Sequence, residues 1–277
     1  MTWRALLWPC VCSVLGVALS AAAQSTGAQP SAPKNLHLFL LAGQSNMAGR
    51  GEIEDRDRTP IDHVFALNAR GEWVAAVDPL HWDKPSAGVG LARSFAVEYL
   101  KQHPGVKVGL IPAACGGSPI SSWEPGQYFE GTHSHPYDDA IARARQALPS
   151  GTLKGILWHQ GESDRSPELA HRYEKALTAL IERLRRDLGA PKVPFVIGQL
   201  GQFAGAGPWD ASGLEVDRAQ RSVAARVPFS AFVSSDQLTS NPDHLHFDAA
   251  SLREFGRRYA AALASIEHGA RKAEPRR

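Results

Sequence analysis

The sequence lacks an excess of charge of either sign. Its 277 residues carry 30 lysines and arginines against 28 aspartates and glutamates, a formal net charge of +2. Nucleic-acid binding needs a concentrated basic face, for which this balance gives no support. The short basic stretch RKAEPRR at 271–277 is typical of a solvated chain end. We therefore expect no nucleic-acid partner.

Long apolar runs are also scarce. The run from Ala5 to Leu19 is shorter than the ~20 residues that a membrane-spanning helix needs, and small residues follow it at Ala21 and Ala23. This pattern is typical of a secretory signal peptide over residues 1–23, cleaved after Ala23. We expect a mature protein without a membrane span, exported to the periplasm or the cell exterior.

Cysteine is nearly absent from the expected mature chain. Cys10 and Cys12 lie in the predicted signal peptide, so only Cys115 remains and no internal disulfide bond can form. A lone cysteine can be a nucleophile, but the residues around it are alanines and a glycine and include no base. We expect Cys115 to be buried as a small apolar side chain.

The composition divides the rest of the chain into three parts. Residues 24–35, QSTGAQPSAPKN, are rich in Ser, Pro and Gly and indicate a linker. A single domain is predicted over 36–268, followed by a basic tail over 269–277. Within the domain, Glu52 to Ser86 is interpreted as a long insertion that forms a partly ordered wall near the site.

Short apolar runs alternate with amphipathic stretches along this domain. The predicted strands are Leu36–Ala42, Val106–Ile111, Gly155–His159, Phe195–Leu200 and Ala231–Ser234. The predicted helices are Val89–Gln102, Tyr137–Leu148, Ser166–Leu188, Leu214–Arg226 and Ala249–Ile266. Because the strands are apolar nearly throughout, they suit a sheet covered on both faces. The alternation predicts a three-layer α/β/α sandwich with a parallel sheet of about five strands.

Small and polar residues follow the predicted strands, where open parallel sheets form their active crevice. Ser45, in GQSNM after the first strand, is either an accessible hydroxyl or a helix N-cap. Gly116 and Gly117, after the second, can turn a backbone N–H toward a substrate oxygen or form a simple tight turn. After the third, HQGESD carries the amide of Gln160 and the carboxylate of Glu162.

Two acids and two histidines lie close together in NPDHLHFDAAS at 241–251. Asp243 and His246 can meet in one turn, where a carboxylate on one imidazole nitrogen leaves the other to take a serine proton. His244 competes with His246 for this role. Asp248 competes with Asp243, although Asp248 can also serve as the cap of the final helix. Together with Ser45, these groups are what acyl transfer requires.

Two residue pairs are candidate metal ligands, His159 with Glu162 and His133 with His135. A metal site needs several convergent ligands, and neither pair has the spacing that supplies them. We expect no metal site.

Four ordered blocks, GQSNMAGRG, GGSPISSW, WHQGESD and DHLHF, resemble those of SGNH-type hydrolases. More narrowly, they are similar to the sialate O-acetylesterase-like domain and to the acetylxylan esterases of carbohydrate esterase family 6. The resemblance spans Leu36 to about Tyr259. It implies a flavodoxin-like SGNH hydrolase fold, which agrees with the predicted sandwich.

The resemblance also implies a role for each matching residue. Ser45 would be the nucleophile and His246 the general base, since the family block reads Asp-x-x-His-Phe. Asp243 is the usual partner of that histidine, but in the family 6 branch the glutamate of the H-Q-G-E block, here Glu162, is also proposed to support it, so the orienting acid stays open.

The oxyanion hole would combine the N–H groups of Ser45 and Gly117 with the side chain of Gln160. That glutamine is a departure, because the broader SGNH pattern has an asparagine at this place.

The implied function is an exported serine carbohydrate O-acetylesterase that acts on an acetylated oligo- or polysaccharide through an acetyl-enzyme, with no cofactor. One alternative is a same-fold esterase for a lipid, aryl or peptidoglycan acyl ester. A second is a non-catalytic carbohydrate-binding protein. Trp82, Trp123 and Trp158 lie near predicted strand ends and can be either sugar-stacking platforms or core residues.

Overall fold

The computed structural model describes residues 1–2, 33–203 and 209–273, with side chains up to residue 270. The rest of the predicted signal peptide and nearly all of the predicted linker lie outside the described residues, as does the end of the basic tail. The described residues from Pro33 onward belong to one compact unit. No helix in the described part of the chain is long and apolar enough to cross a lipid bilayer.

The centre of this unit is a seven-stranded sheet with the order β3-β2-β4-β1-β5-β6-β7. Its strands are β1 Leu36–Gly43, β2 Val64–Leu67, β3 Trp73–Ala75, β4 Lys107–Pro112, β5 Gly151–His159, β6 Phe195–Gly198 and β7 Ser230–Val233. All neighbouring strands run parallel except the β2–β3 pair at one edge, which is antiparallel. The predicted α/β fold with a parallel sheet is therefore confirmed, with two more strands than the sequence indicates.

The two extra strands correct the interpretation of Glu52 to Ser86 as an insertion. β2 lies inside the sheet, paired with β4, and β3 forms the edge beyond it. A turn joins them, in which the side-chain oxygen of Asn68 accepts hydrogen bonds from the N–H groups of Arg70 and Glu72. The strands are four and three residues long, and no helix lies between them, so the alternation of strands and helices used for the prediction does not indicate them.

Helices cover both faces of the sheet. They are α1 Ser45–Ala48, α2 Asp55–Arg58, α3 Ala92–Gln102, α4 Pro136–Ala147, α5 Pro167–Asp187, α6 Ala211–Arg226 and α7 Ala249–Ala273. The five predicted helices correspond to α3 to α7, although α7 continues past the predicted end at Ile266. In α5, Ser166 is the N-cap and Pro167 opens the first turn, which its fixed φ favours.

Strand β1 shows how the two faces divide. Leu36, Leu38 and Leu40 pack into the core that includes α4, α5 and α6, whereas Phe39 and Leu41 pack into the core that includes α3 and α7. Successive side chains of a strand point to opposite faces, so a strand covered on both sides is apolar throughout. This alternation gives the predicted three layers.

Trp123 and Trp158 belong to the first of these cores. Both are fully buried, with ring centroids 5.0 Å apart in an edge-to-face contact. Their interpretation as sugar-stacking platforms is therefore wrong, and of the three tryptophans only Trp82 is exposed.

The carboxyl ends of three adjacent strands are joined by backbone hydrogen bonds. The N–H of Cys115 donates to the carbonyl of Gly43 (2.9 Å), and the N–H of Gln44 donates to the carbonyl of His159 (2.8 Å). Gly43 has a φ of 130°, and a Cβ there would lie 2.1 Å from the His159 oxygen. Only glycine allows this approach. The residues that follow β1, β4 and β5 consequently lie side by side.

Candidate active site

Ser45 is the first residue of α1, directly beyond the end of β1. Gln44, not Ser45, is the N-cap residue, so the interpretation of Ser45 as a cap is wrong. The serine is largely enclosed by its surroundings. Its Oγ lies 3.0 Å from Nε2 of His246, within hydrogen-bonding distance.

His246 is held by Asp243 on its other side. Nδ1 of His246 lies 2.6 Å from Oδ2 of Asp243, and Oδ1 of Asp243 accepts the N–H groups of Leu245 and His246 at 2.9 Å each. Burial alone would raise the pKa of Asp243, but these hydrogen bonds outweigh it and hold that pKa below its ordinary value. An ionised Asp243 fixes the proton of His246 on Nδ1 and leaves Nε2 free to accept one from Ser45.

The two competing residues lie elsewhere. His244 is exposed, in a left-handed conformation with a φ of 52°. Asp248 precedes α7, where its Oδ1 accepts the N–H of Ser251 at 2.8 Å and its Oδ2 accepts the hydroxyl of Thr239. Asp248 is thus the cap of the final helix.

Glu162 contacts a different residue from the one the family resemblance implies. Its Oε1 accepts a 2.6 Å hydrogen bond from the amide of Asn46 and lies 3.6 Å from Nδ1 of His159. Of the two acids, Asp243 touches His246, and Glu162 reaches the histidine loop only through Asn46. The expectation that Glu162 supports His246 directly is therefore wrong, and Asp243 is the acid that contacts the histidine.

Asn46 is the residue that sequence reasoning missed. Fully buried next to Ser45, it donates its amide to the carbonyl of Leu245 (3.3 Å) as well as to Glu162, and its Oδ1 accepts the N–H of Phe247 (3.1 Å). It thus holds both residues that flank His246. Asn46 lies inside the GQSNM block, but its partners are far away in sequence, so the block alone gives no sign of this bridge.

Gln160 cannot serve as an oxyanion donor in this structure. The side chain is fully buried, and Nε2 is directed at three acceptors: Oδ2 of Asp164 (2.5 Å), the carbonyl of Ser118 (3.0 Å) and Oε1 of Gln44 (3.2 Å). An amide nitrogen has two hydrogens, so none remains for a substrate. The expected role is wrong, and Gln160 instead anchors the turn that carries Gly117.

Two backbone N–H groups remain available for an anion. Neither Ser45 nor Gly117 donates its N–H to an acceptor among the described residues. Gly117 is exposed and has a φ of 86°, a conformation that favours glycine. Its turn follows Cys115, whose N–H is bonded to Gly43, so both groups lie at the same edge of the sheet.

The remaining candidates do not join this group. Cys115 is buried as expected, and burial raises the pKa of its thiol to about 11, which leaves little thiolate at neutral pH. His133 accepts or donates a hydrogen bond with the Tyr128 hydroxyl at 3.1 Å. Within residues 33–203 and 209–273, no three side chains of His, Cys, Asp or Glu are grouped as metal ligands would be.

A family model for carbohydrate esterases, described as sialic acid-specific acetylesterase, matches residues 35–265 of the chain. A protein of Arabidopsis thaliana named as a probable carbohydrate esterase is 30% identical over 258 residues, which cover 86% of this chain and 93% of that protein. Human sialate O-acetylesterase is 28% identical over 143 residues, 43% of this chain and 26% of the human protein.

Solved structures share the fold. The crystal structure of an Arabidopsis thaliana protein matches with a TM-score of 0.73 and 30% identity, covering 84% of this chain and 99% of that one. A carbohydrate acetylesterase from Xanthomonas citri matches with a TM-score of 0.66 and 23% identity. The match covers 84% of this chain and 57% of the Xanthomonas citri chain. At that identity the second match concerns the fold alone.

The contacts of the two acids predict unequal effects on the nucleophilicity of Ser45. Asp243→Asn disturbs the proton on Nδ1 of His246 and is expected to slow the reaction of Ser45 with a fluorophosphonate by roughly 1,000-fold or more. Glu162→Gln retains an oxygen for the Asn46 amide and is expected to slow it less than ~10-fold. Intact-mass spectrometry over time gives both rates.

Asp248→Asn is the matched control, since it alters a nearby carboxylate that caps α7 and does not touch His246. Equal slowing by Glu162→Gln and Asp243→Asn would contradict the assignment of Asp243 as the orienting acid.

Proposed function

The chain belongs to the carbohydrate esterase family of sialic acid-specific acetylesterases and is an ester hydrolase, and on that premise we propose that it removes O-acetyl groups from sugars through an acetyl-enzyme on Ser45. The observation that carries the proposal is the line of contacts Asp243–His246–Ser45, at 2.6 and 3.0 Å. These are the distances that a nucleophile, its base and the orienting acid need.

In the first step, Oγ of Ser45 attacks the acetyl carbonyl carbon while Nε2 of His246 takes the hydroxyl proton. The carbonyl π electrons move to oxygen, and the N–H groups of Ser45 and Gly117 stabilise this oxyanion. Asp243 stabilises the imidazolium through Nδ1–H. Each oxyanion donor of this kind is worth roughly 100- to 1,000-fold in rate.

Collapse of the tetrahedral intermediate breaks the bond to the sugar oxygen, which takes the proton from His246 and leaves as the alcohol. Water then attacks the acetyl-Ser45 ester, giving its proton to His246. The second collapse returns that proton to Oγ and releases acetic acid, which ionises to acetate in water. These steps need no metal and no organic cofactor.

For the sugar, we propose a place on Trp82. Its side chain is 47% exposed, and the Arg143 guanidinium covers one face of the indole, 4.3 Å from the ring centroid. Trp82 and Arg143 line a cavity of about 280 Å³ together with Cys115 and Asp83. The N–H of Cys115 also donates to the carbonyl of Gly43, two residues before Ser45, so a sugar stacked here would lie near the reacting ester.

We also propose export of the protein through cleavage of residues 1–23. The support is the sequence pattern given above, since these residues lie outside the described part except for the first two.

Acetate release from acetylated sugars tests the proposed reaction. We expect the mature protein to release acetate from an acetylated xylo-oligosaccharide or an O-acetylated sialic acid, and Ser45→Ala to lower kcat by at least ~10,000-fold. Ser45→Ala removes the nucleophile and leaves the sugar-binding residues in place.

Release that persists in Ser45→Ala would contradict the mechanism. Binding of acetylated sugar by the wild type without any release would favour a carbohydrate-binding role. Release from lipid or aryl esters alone would favour the other substrate classes.

The proposed sugar platform predicts a substrate-dependent loss. Trp82→Ala is expected to lower kcat/KM for an acetylated oligosaccharide by roughly 10-fold and to leave a small aryl acetate within ~2-fold, because the aryl ester needs no stacking surface. Leu214→Ala, at an apolar residue on α6 that is 41% exposed, is the control. An equal loss on both esters would contradict the platform.

A further inference from the structure

We propose that Arg50 and Asp83 form a buried ion pair that positions the Gly116–Gly117 turn for catalysis. Both act as positioning residues, since neither is placed to touch the reacting atoms. The inference rests on the proposed function, because it concerns the N–H of Gly117 as an oxyanion donor.

Asp83 holds the glycine turn directly. Its Oδ2 accepts the N–H of Gly116 at 2.9 Å and a hydrogen bond from Nη2 of Arg50 at 2.7 Å. The side chain of Arg50 is only 7% exposed, and that of Asp83 only 3%. A Cβ on Gly116 would lie 2.4 Å from Nη2 of Arg50 and 2.5 Å from Oδ2 of Asp83. The ion pair therefore packs directly against the backbone that precedes Gly117.

Arg50 connects this turn to the nucleophile and the base. Arg50 lies just past the end of α1, and its Nη1 donates to the carbonyl of Gly49 at 2.8 Å. Its own carbonyl accepts the side-chain amide of Asn241 at 2.8 Å, and the N–H of Asn241 donates to the carbonyl of His246. One arginine thus contacts the segment of Ser45, the turn of Gly117 and the loop of His246.

The energetics of buried charge favour a positioning role over a stabilising one. Removing two ions from water costs several kcal/mol each, which their attraction barely offsets, so a buried ion pair adds little net stability. What the pair does supply is a fixed direction, because the guanidinium and carboxylate hydrogen-bond in a narrow range of geometries. A displacement of about 1 Å at a catalytic group can cost on the order of 100-fold in rate.

The positive charge of Arg50 is needed beside the negative charge of Asp83, so both residues are expected to matter for the reaction rate. Asp83 is bonded to the residue next to Gly117, so its carboxylate, if unpaired, would repel the negative charge that develops on the substrate oxygen. Arg50 cancels this charge. Loss of Arg50 should therefore be partly repaired when Asp83 is made neutral, and that non-additive result distinguishes positioning from independent contributions.

Steady-state kinetics on a small aryl acetate test the inference. We expect Asp83→Ala and Arg50→Gln each to lower kcat by roughly 100-fold, with KM within ~3-fold. In Arg50→Gln/Asp83→Asn, an amide oxygen still accepts the Gly116 N–H without a charge. This double variant is expected to recover at least ~10-fold over Arg50→Gln.

Asp57→Asn is the matched control, because Asp57 is a buried carboxylate paired with Arg253 at 2.7 Å and bonds to none of the site residues named above. We expect it to leave kcat within ~2-fold at a temperature where all variants are folded by circular dichroism. An unchanged kcat in Asp83→Ala, an equal loss in Asp57→Asn, or no recovery in the double variant would each overturn the inference.

Ser45→Ala in the same assay separates the two claims. Activity that persists in Ser45→Ala would overturn the proposed function and the positioning role with it. An inactive Ser45→Ala beside a fully active Asp83→Ala would overturn the positioning role alone.

Discussion

The geometry of the site depends on the hydrogen bonds made by the side-chain amide of Asn46. Asn46 and Phe247 are 201 residues apart in sequence, yet Oδ1 of Asn46 accepts the Phe247 N–H while its Nδ2 donates to Glu162 and to the carbonyl of Leu245. A fully buried amide that lost these partners would retain unsatisfied polar atoms at a cost of roughly 1–3 kcal/mol for each. The segment that carries Ser45 and the loop that carries His246 are consequently held as one unit.

The sheet supplies the frame for this unit. Apolar side chains on both faces of β1 bury the strand between two helical layers, and hydrogen bonds between the strand ends bring the segments after β1, β4 and β5 together. Polar bridges then fix these segments relative to one another, with Gln160 holding the carbonyl of Ser118 from inside the core. The hydroxyl, imidazole and free N–H groups are thus carried on short turns that a rigid scaffold positions.

Features that depend on residues close together in sequence could be predicted, whereas contacts between distant segments could not. Strands such as Leu36–Gly43 are apolar nearly throughout, and the Asp243–His246 contact lies within one turn, so both could be predicted from local pattern and resemblance. Gln160 was assigned wrongly because its burial depends on acceptors that come from other segments, Ser118 and Asp164. Asn46 and Arg50 lie within a recognised block, but their partners are distant in sequence. Asp83 follows β2 and β3, which have no helix between them and so are not indicated by the alternation of strands and helices.

The proposed mechanism requires the acetyl group to be bonded to Ser45 during each turnover, so we would first trap that intermediate. The measurement is rapid acid quench of the protein with an activated aryl acetate, followed by peptide mass spectrometry, alongside the time course of phenol release. We expect a burst of one phenol per chain and one acetyl group on the peptide that contains Ser45. Phenol release without a burst, or an acetyl group found only on another residue, would contradict it.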